Sequence, residues 1–124
     1  DPLHWPMTGR TGAARLALET GVPVIPVGQW GPQEVMGYKE MTFPKLWPRK
    51  TMKLYCGTEV ELSDLHGHHD RASVREATNR IMDAIDAQVA RARGEFPPSD
   101  RYDMRKGRRV PKSVAPARPV VDPR

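Results

Sequence analysis

The stretch Thr11–Val27, TGAARLALETGVPVIPV, decides the fold class. Thr11 is a suitable N-cap, with a hydroxyl that can accept from a free first-turn N–H. Ala13, Ala14, Leu16, Ala17 and Leu18 are strong helix formers, and Gly21 stands where a left-handed residue ends a helix. The helix predicted over Gly12–Thr20 is apolar nearly all round, which points to burial against a sheet. Val22–Val27, VPVIPV, is a short β-branched run that fits a strand covered on both faces, as in a parallel sheet. Pro23 and Pro26 cannot donate to a ladder, so this strand belongs at an edge or is irregular. Helix, glycine stop and strand read as half of an α/β unit.

Downstream, Gly28–Gly37 is a loop at the carboxyl end of that strand, where open α/β sheets place ligands. Tyr38–Lys50 interleaves aromatics with cations. Thr51–Cys56 alternates, predicting a half-buried strand with Met52, Leu54 and Cys56 inward, and Val60 and Leu62 extend it or pair back. Ser63–Asp70 is a polar loop. Ser73-Val74-Arg75-Glu76 has the form of a capping box opening a helix. Val74, Ala77, Ile81, Ala84, Ile85, Val89 and Ala92 form its apolar stripe, with Arg75, Arg80, Asp83, Asp86 and Arg91 on the other face, and Gly94 ends it. Upstream of Thr11 there is only a loop. A parallel βαβ unit needs a strand before its helix, and that strand is expected upstream of Asp1.

Charge divides the chain. Of the net charge of +5, residues 1–93 carry 12 Lys and Arg against 11 Asp and Glu, and residues 94–124 carry 8 against 4. The basicity belongs to the tail, which argues against a dedicated nucleic-acid-binding domain. The tail is rich in Pro and Arg without apolar periodicity, so it is predicted to be disordered. The expected division is a folded part over 1–93 and a tail over 94–124. Cys56 is the one cysteine, so no internal disulfide can form, which fits a cytosolic compartment, and its strand position predicts a buried, inert thiol. No apolar run reaches the ~18–20 residues of a membrane span.

Three runs carry a resemblance: Asp1-Pro2-Leu3-His4-Trp5-Pro6-Met7, Arg10-Thr11-Gly12-Ala13-Ala14-Arg15-Leu16-Ala17-Leu18, and Gly21-Val22-Pro23-Val24-Ile25-Pro26-Val27. Together they resemble the 1-acylglycerol-3-phosphate O-acyltransferase family, in its actinobacterial members above all. VPVIPV is similar to the fourth of that family's blocks. Gln29-Trp30-Gly31, the Gly57-x-Glu-Val-Glu-Leu-Ser run and the closing helix also fit, so the resemblance spans about residues 1–105. It implies the C-terminal part of the glycerolipid acyltransferase fold. It also implies an activity: transfer of a fatty acyl group from acyl-CoA or acyl carrier protein to lysophosphatidic acid, giving phosphatidic acid. In the family, the histidine of a His-x-x-x-x-Asp block takes the proton of the attacking hydroxyl while the aspartate orients it. That block is absent here. Five positions after His4, His66, His68 and His69 stand Gly9, Arg71, Ser73 and Val74. The phosphate-binding Phe-Pro-Glu-Gly-Thr block is absent too. The chain is therefore expected to be the portion after these blocks, inactive alone, in a protein peripheral to the cytoplasmic face of the membrane.

Each candidate has a plainer reading beside it. Arg10, Thr11, Gly12 and Arg15 surround a helix N-terminus and are candidates for binding the acceptor phosphate; the plainer reading of Arg15 is a solvated helix face. Val22, Pro23, Val24, Ile25, Pro26 and Val27 line an acyl pocket or are simply core. Phe43, Lys45, Trp47 and Arg49 are candidates for the membrane interface, or belong to a basic loop with partly buried aromatics. His66, His68, His69 and Asp70 are zinc-ligand types, but near-adjacent positions rarely converge without a scaffold, so no metal and no cofactor is expected. A rival from another class is a non-catalytic basic module that binds anionic lipid or nucleic acid through Tyr38–Lys50 and the tail; under the first reading no nucleic acid is expected.

Overall fold

A 23-residue helix is the axis on which the other elements pack. The computed structural model describes residues 1–31 and 52–112. The membrane-interface candidates Phe43, Lys45, Trp47 and Arg49 lie outside these residues, as do tail residues 113–124. The described elements are α1 (Gly12–Thr20), β1 (Val27–Trp30), β2 (Lys53–Cys56), α2 (Arg71–Arg93), β3 (Asp100–Asp103) and β4 (Arg108–Pro111). The architecture is mixed α/β, with β1 pairing β2 and β3 pairing β4, both antiparallel.

The apolar stripe of α2 follows the sequence spacing: Val74, Ala77, Ile81, Val89 and Ala92 are buried. Its start differs from the expected capping box. Asp70 is the N-cap and its side chain accepts from the Ser73 N–H at 3.0 Å, while Glu76 pairs with Arg80 at 3.0 Å. Asp86, expected on the solvated face, is buried. Gly94 ends the helix in the left-handed region, as Gly21 ends α1. α1 packs on α2, and not on a sheet as expected, and only one of its faces is covered. Ala14, Ala17 and Leu18 are buried with Val60, Leu62, Leu65, Val74, Ala77 and Ile81, while Leu16 is exposed.

The predicted strand over Val22–Val27 is corrected. The strand is Val27–Trp30, its partner β2 runs antiparallel, and the run before it is not covered on both faces. The prolines explain this. Pro23 and Pro26 have no N–H to give a ladder, and the segment is tied to its neighbour through carbonyls: Val60 N–H donates to the Val24 carbonyl and Gly57 N–H to that of Pro26, both at 2.8 Å. Within the run Pro26 is buried and Val24 half-buried, whereas Val22, Pro23, Ile25 and Val27 face out.

The facing of β2 is also opposite to expectation. Met52, Leu54 and Cys56 are exposed, and Tyr55 turns inward under the Arg91 guanidinium, 4.8 Å from its ring centre. Gly28, opposite Tyr55, fixes the facing. A Cβ there would overlap the Gln88 carbonyl carbon and the Val89 nitrogen, so only glycine brings β1 this close to the α2 backbone. Once Gly28 faces α2, its neighbour Val27 and the facing Cys56 must point away.

Part of the predicted disordered tail is folded. β3 and β4 form a hairpin, and Gly107 supplies the positive φ of its turn. Polar contacts dock it. The buried Arg101 donates from Nη2 to Asp83 at 2.5 Å and to Asp86 at 2.7 Å, and Lys112 Nζ meets Asp86 at 2.7 Å. Arg109 pairs with Asp100 at 2.7 Å and with Asp1 at 2.9 Å, and the Thr8 N–H donates to the Tyr102 carbonyl at 3.1 Å. The N-terminal segment is thus held between hairpin and helix. At the other end of α2, Arg93 lies between the rings of Trp5 and Trp30, 4.2 Å from each centre, and donates to the Leu3 carbonyl at 2.8 Å.

Urea unfolding of two variants checks this assignment of core. Leu18 is 2 % exposed and Ile25 is 50 % exposed. Leu18→Ala is expected to cost ~2–5 kcal/mol and Ile25→Ala less than about 1 kcal/mol. Comparable losses would return Ile25 to the core.

Candidate functional site

Two clefts adjoin where the N-terminal segment crosses α2. Crossing is close at Gly9, where a Cβ would lie 2.7 Å from Met82 Sδ and 3.2 Å from Thr78 Cγ2. The smaller cleft, about 630 Å³, is bounded by Arg10, Thr11 and Gly12 on one side and by Asp103, Met104 and Arg105 of the β3–β4 turn on the other. The larger, about 720 Å³, lies between α1 and the first turns of α2. Arg15, Arg71, Arg75 and Arg105 line it with His69, against a single carboxylate, Glu19. Gly9, Thr11 and Arg105 border both.

The electrostatics are one-sided. The first turn of a helix carries partial positive charge and favours acids. Neither α1 nor α2 has an acidic residue in its first turn, and instead Arg71 and Arg75 stand one turn apart at the start of α2. Glu19 and Asp103 are the carboxylates that line the two clefts, and neither is in an ion pair with these cations. Ion pairs engage Arg80, Arg93, Arg101, Arg109 and Lys112, but among the described residues none engages Arg10, Arg15, Arg71, Arg75 or Arg105. Structural arginines and cleft arginines are therefore separate sets.

Backbone donors add to this. Thr11 holds the N-cap position of α1, but in a helical conformation and without the expected side-chain cap bond. First-turn N–H groups of an α-helix have no partner inside the helix, so they are available to an anion at this end. Arginine forks reach phosphate or carboxylate oxygens two at a time, which suits this arrangement to oxyanions.

Of the sequence-predicted residues, Arg10, Thr11 and Gly12 meet at the smaller cleft, and Thr11 and Arg15 at the larger. The Val22–Val27 run borders neither, and only Pro26 reaches a different, more open groove. His66, His68 and His69 lie along an exposed turn, and among the described residues no three metal-ligating side chains converge. Sequence reasoning missed Arg71, Arg75 and Arg105 as site residues. A signal was present for two of them: arginines at the start of a helix, spaced i, i+4, where the dipole favours acids. No helix of the described residues is long and apolar enough to cross a membrane. Compared with protein-family models, with curated proteins and with solved structures, the chain matches none.

Asp70 is the carboxylate that caps α2. It accepts from the Ser73 hydroxyl at 2.7 Å and from the Ser73 N–H, bonds that favour the charged form and hold its pKa below the ordinary aspartate value. A lowered folded pKa contributes stability that is full above the ordinary value and lost as pH falls through the folded one. Asp70→Ala is therefore expected to lower the melting temperature at neutral pH, with the gap from the native protein closing in acid. A gap independent of pH would show that the cap does not act through the carboxylate charge.

Proposed function

We propose that the chain is the C-terminal part of a 1-acyl-sn-glycerol-3-phosphate acyltransferase of phospholipid synthesis, peripheral to the cytoplasmic membrane face, and that its smaller cleft holds the acceptor phosphate. One observation carries this reading. Arg10, Thr11 and Gly12, singled out by their resemblance to the family, line one cleft together with the N-terminus of α1. The remaining support is the order and spacing of the runs over residues 1–27.

In this reading the cleft binds and orients. Arg10 donates to phosphate oxygens, the helix N–H groups complete the anion's shell, and the glycerol hydroxyl is directed toward a base and acyl donor held elsewhere in the protein. The division of labour is forced by composition. Neither His4 nor the histidines of residues 66–69 stand in a His-x-x-x-x-Asp spacing, so the family's catalytic block is not among these residues. Binding that is equal in ground state and transition state affects KM and leaves kcat nearly unchanged.

The test begins with the coding sequence. In-frame His-x-x-x-x-Asp and Phe-Pro-Glu-Gly-Thr blocks are expected upstream of Asp1, and the whole protein is expected to acylate lysophosphatidic acid. Arg10→Ala is then expected to raise the KM for the acceptor by about 10- to 100-fold, the worth of a charged hydrogen bond, with kcat little altered. Absence of both blocks in frame would remove the acyltransferase assignment. Saturable binding of anionic vesicles by a protein without acyl transfer would favour the non-catalytic basic module instead.

A further inference from the structure

We infer that the larger cleft is a second anion site, adjoining the proposed acceptor site and sharing Thr11 and Arg105 with it, and that it takes the diphosphate group of a small molecule irrespective of what that group is attached to. The inference rests on the cleft and not on the acyltransferase reading.

Three elements that are separate in sequence deliver its cations. Arg15 comes from α1, Arg71 and Arg75 from the start of α2, and Arg105 from the turn of the β3–β4 hairpin. All four are exposed, and among the described residues none is ion-paired. Four cations share the cleft with one carboxylate, Glu19, so like charges are in excess and an anion seated among the arginines relieves their repulsion. The placement of Arg105 is not incidental. The hairpin that carries its turn is anchored by Arg101, which meets the buried Asp86 and the exposed Asp83, while Arg105 itself is in no ion pair among the described residues.

Size and lining define the ligand class. Four arginine forks offer more donors than one phosphate has oxygens to accept, and about 720 Å³ is more than one phosphate fills. Two linked phosphates engage more of these donors than one does, and the remaining volume leaves room for the group that carries them. Thr11 and Asn79 add neutral hydrogen-bonding groups, whereas the Thr78 hydroxyl is given to the Val74 carbonyl. Val74 is the one large apolar side chain of the lining and the His69 imidazole its one aromatic ring, so the lining holds no donor and acceptor pattern that tells one nucleobase from another. Recognition is therefore of the phosphates and blind to the rest of the molecule.

Calorimetric titration of the intact protein, at low salt and without divalent cations, tests this with pyrophosphate, ADP, GDP and inorganic phosphate. Pyrophosphate is expected to bind at one site, about tenfold or more tighter than phosphate, with ADP and GDP alike and with affinity falling as salt screens the site. Arg75→Ala and Arg105→Ala are each expected to weaken pyrophosphate about tenfold or more without lowering the melting temperature of the free protein. Arg108→Ala, outside the cleft, is expected to bind as the native protein does. Equal affinity for phosphate and pyrophosphate, or pyrophosphate binding indifferent to Arg75 and Arg105, overturns the inference. Because Arg10 governs the acceptor KM and Arg75 the pyrophosphate affinity, failure of one reading is distinguishable from failure of the other.

Discussion

A carboxylate buried on the central helix organises one side of the molecule. Asp86 is 3 % exposed and meets Arg101 and Lys112, one on each side of the β3–β4 hairpin. A buried charge is tolerated only with partners, and removing one partner of such a pair typically costs about 3–5 kcal/mol. The hairpin cannot leave α2 without stranding that charge. The hairpin in turn holds the N-terminal segment, through Thr8 to Tyr102 and Asp1 to Arg109, and carries Arg105 to the clefts. Site geometry thus descends from one ionic contact some distance from it.

The same helix is used differently on its other faces. Its apolar stripe packs on α1 and on the Val60–Leu65 segment, while Gly28 lets β1 approach its backbone. Its N-terminal turn presents arginines to solvent, and near its C-terminal end Arg93 is sandwiched between two tryptophans. The arrangement separates arginines that hold the fold from arginines left free to meet a ligand.

Much of this was legible in the sequence where burial is apolar and periodic. The 3.6-residue spacing of Val74, Ala77, Ile81, Val89 and Ala92 reads directly as α2, and Gly21 and Gly94 mark helix ends. Legibility fails where other forces decide. VPVIPV looks like a buried strand because its residues are β-branched, yet two prolines remove ladder donors from it and the strand is Val27–Trp30. The facing of β2 is set by a glycine across the sheet, which no alternation within β2 reveals. The hairpin escapes an apolar count because what docks it is a buried arginine. At the site, Arg10, Thr11, Gly12 and Arg15 were legible from the helix N-terminus, but Arg105 required knowing that the tail folds back.

The central claim is that unpaired cations at two helix N-termini form a place for anions. Amide NMR shifts during a phosphate titration test it most directly. The account predicts saturable shifts at Gly12, Ala13, Arg71 and Arg105, with Gly94 at the far end of α2 unmoved. Shifts that fail to saturate, or that spread evenly along α2, would contradict it.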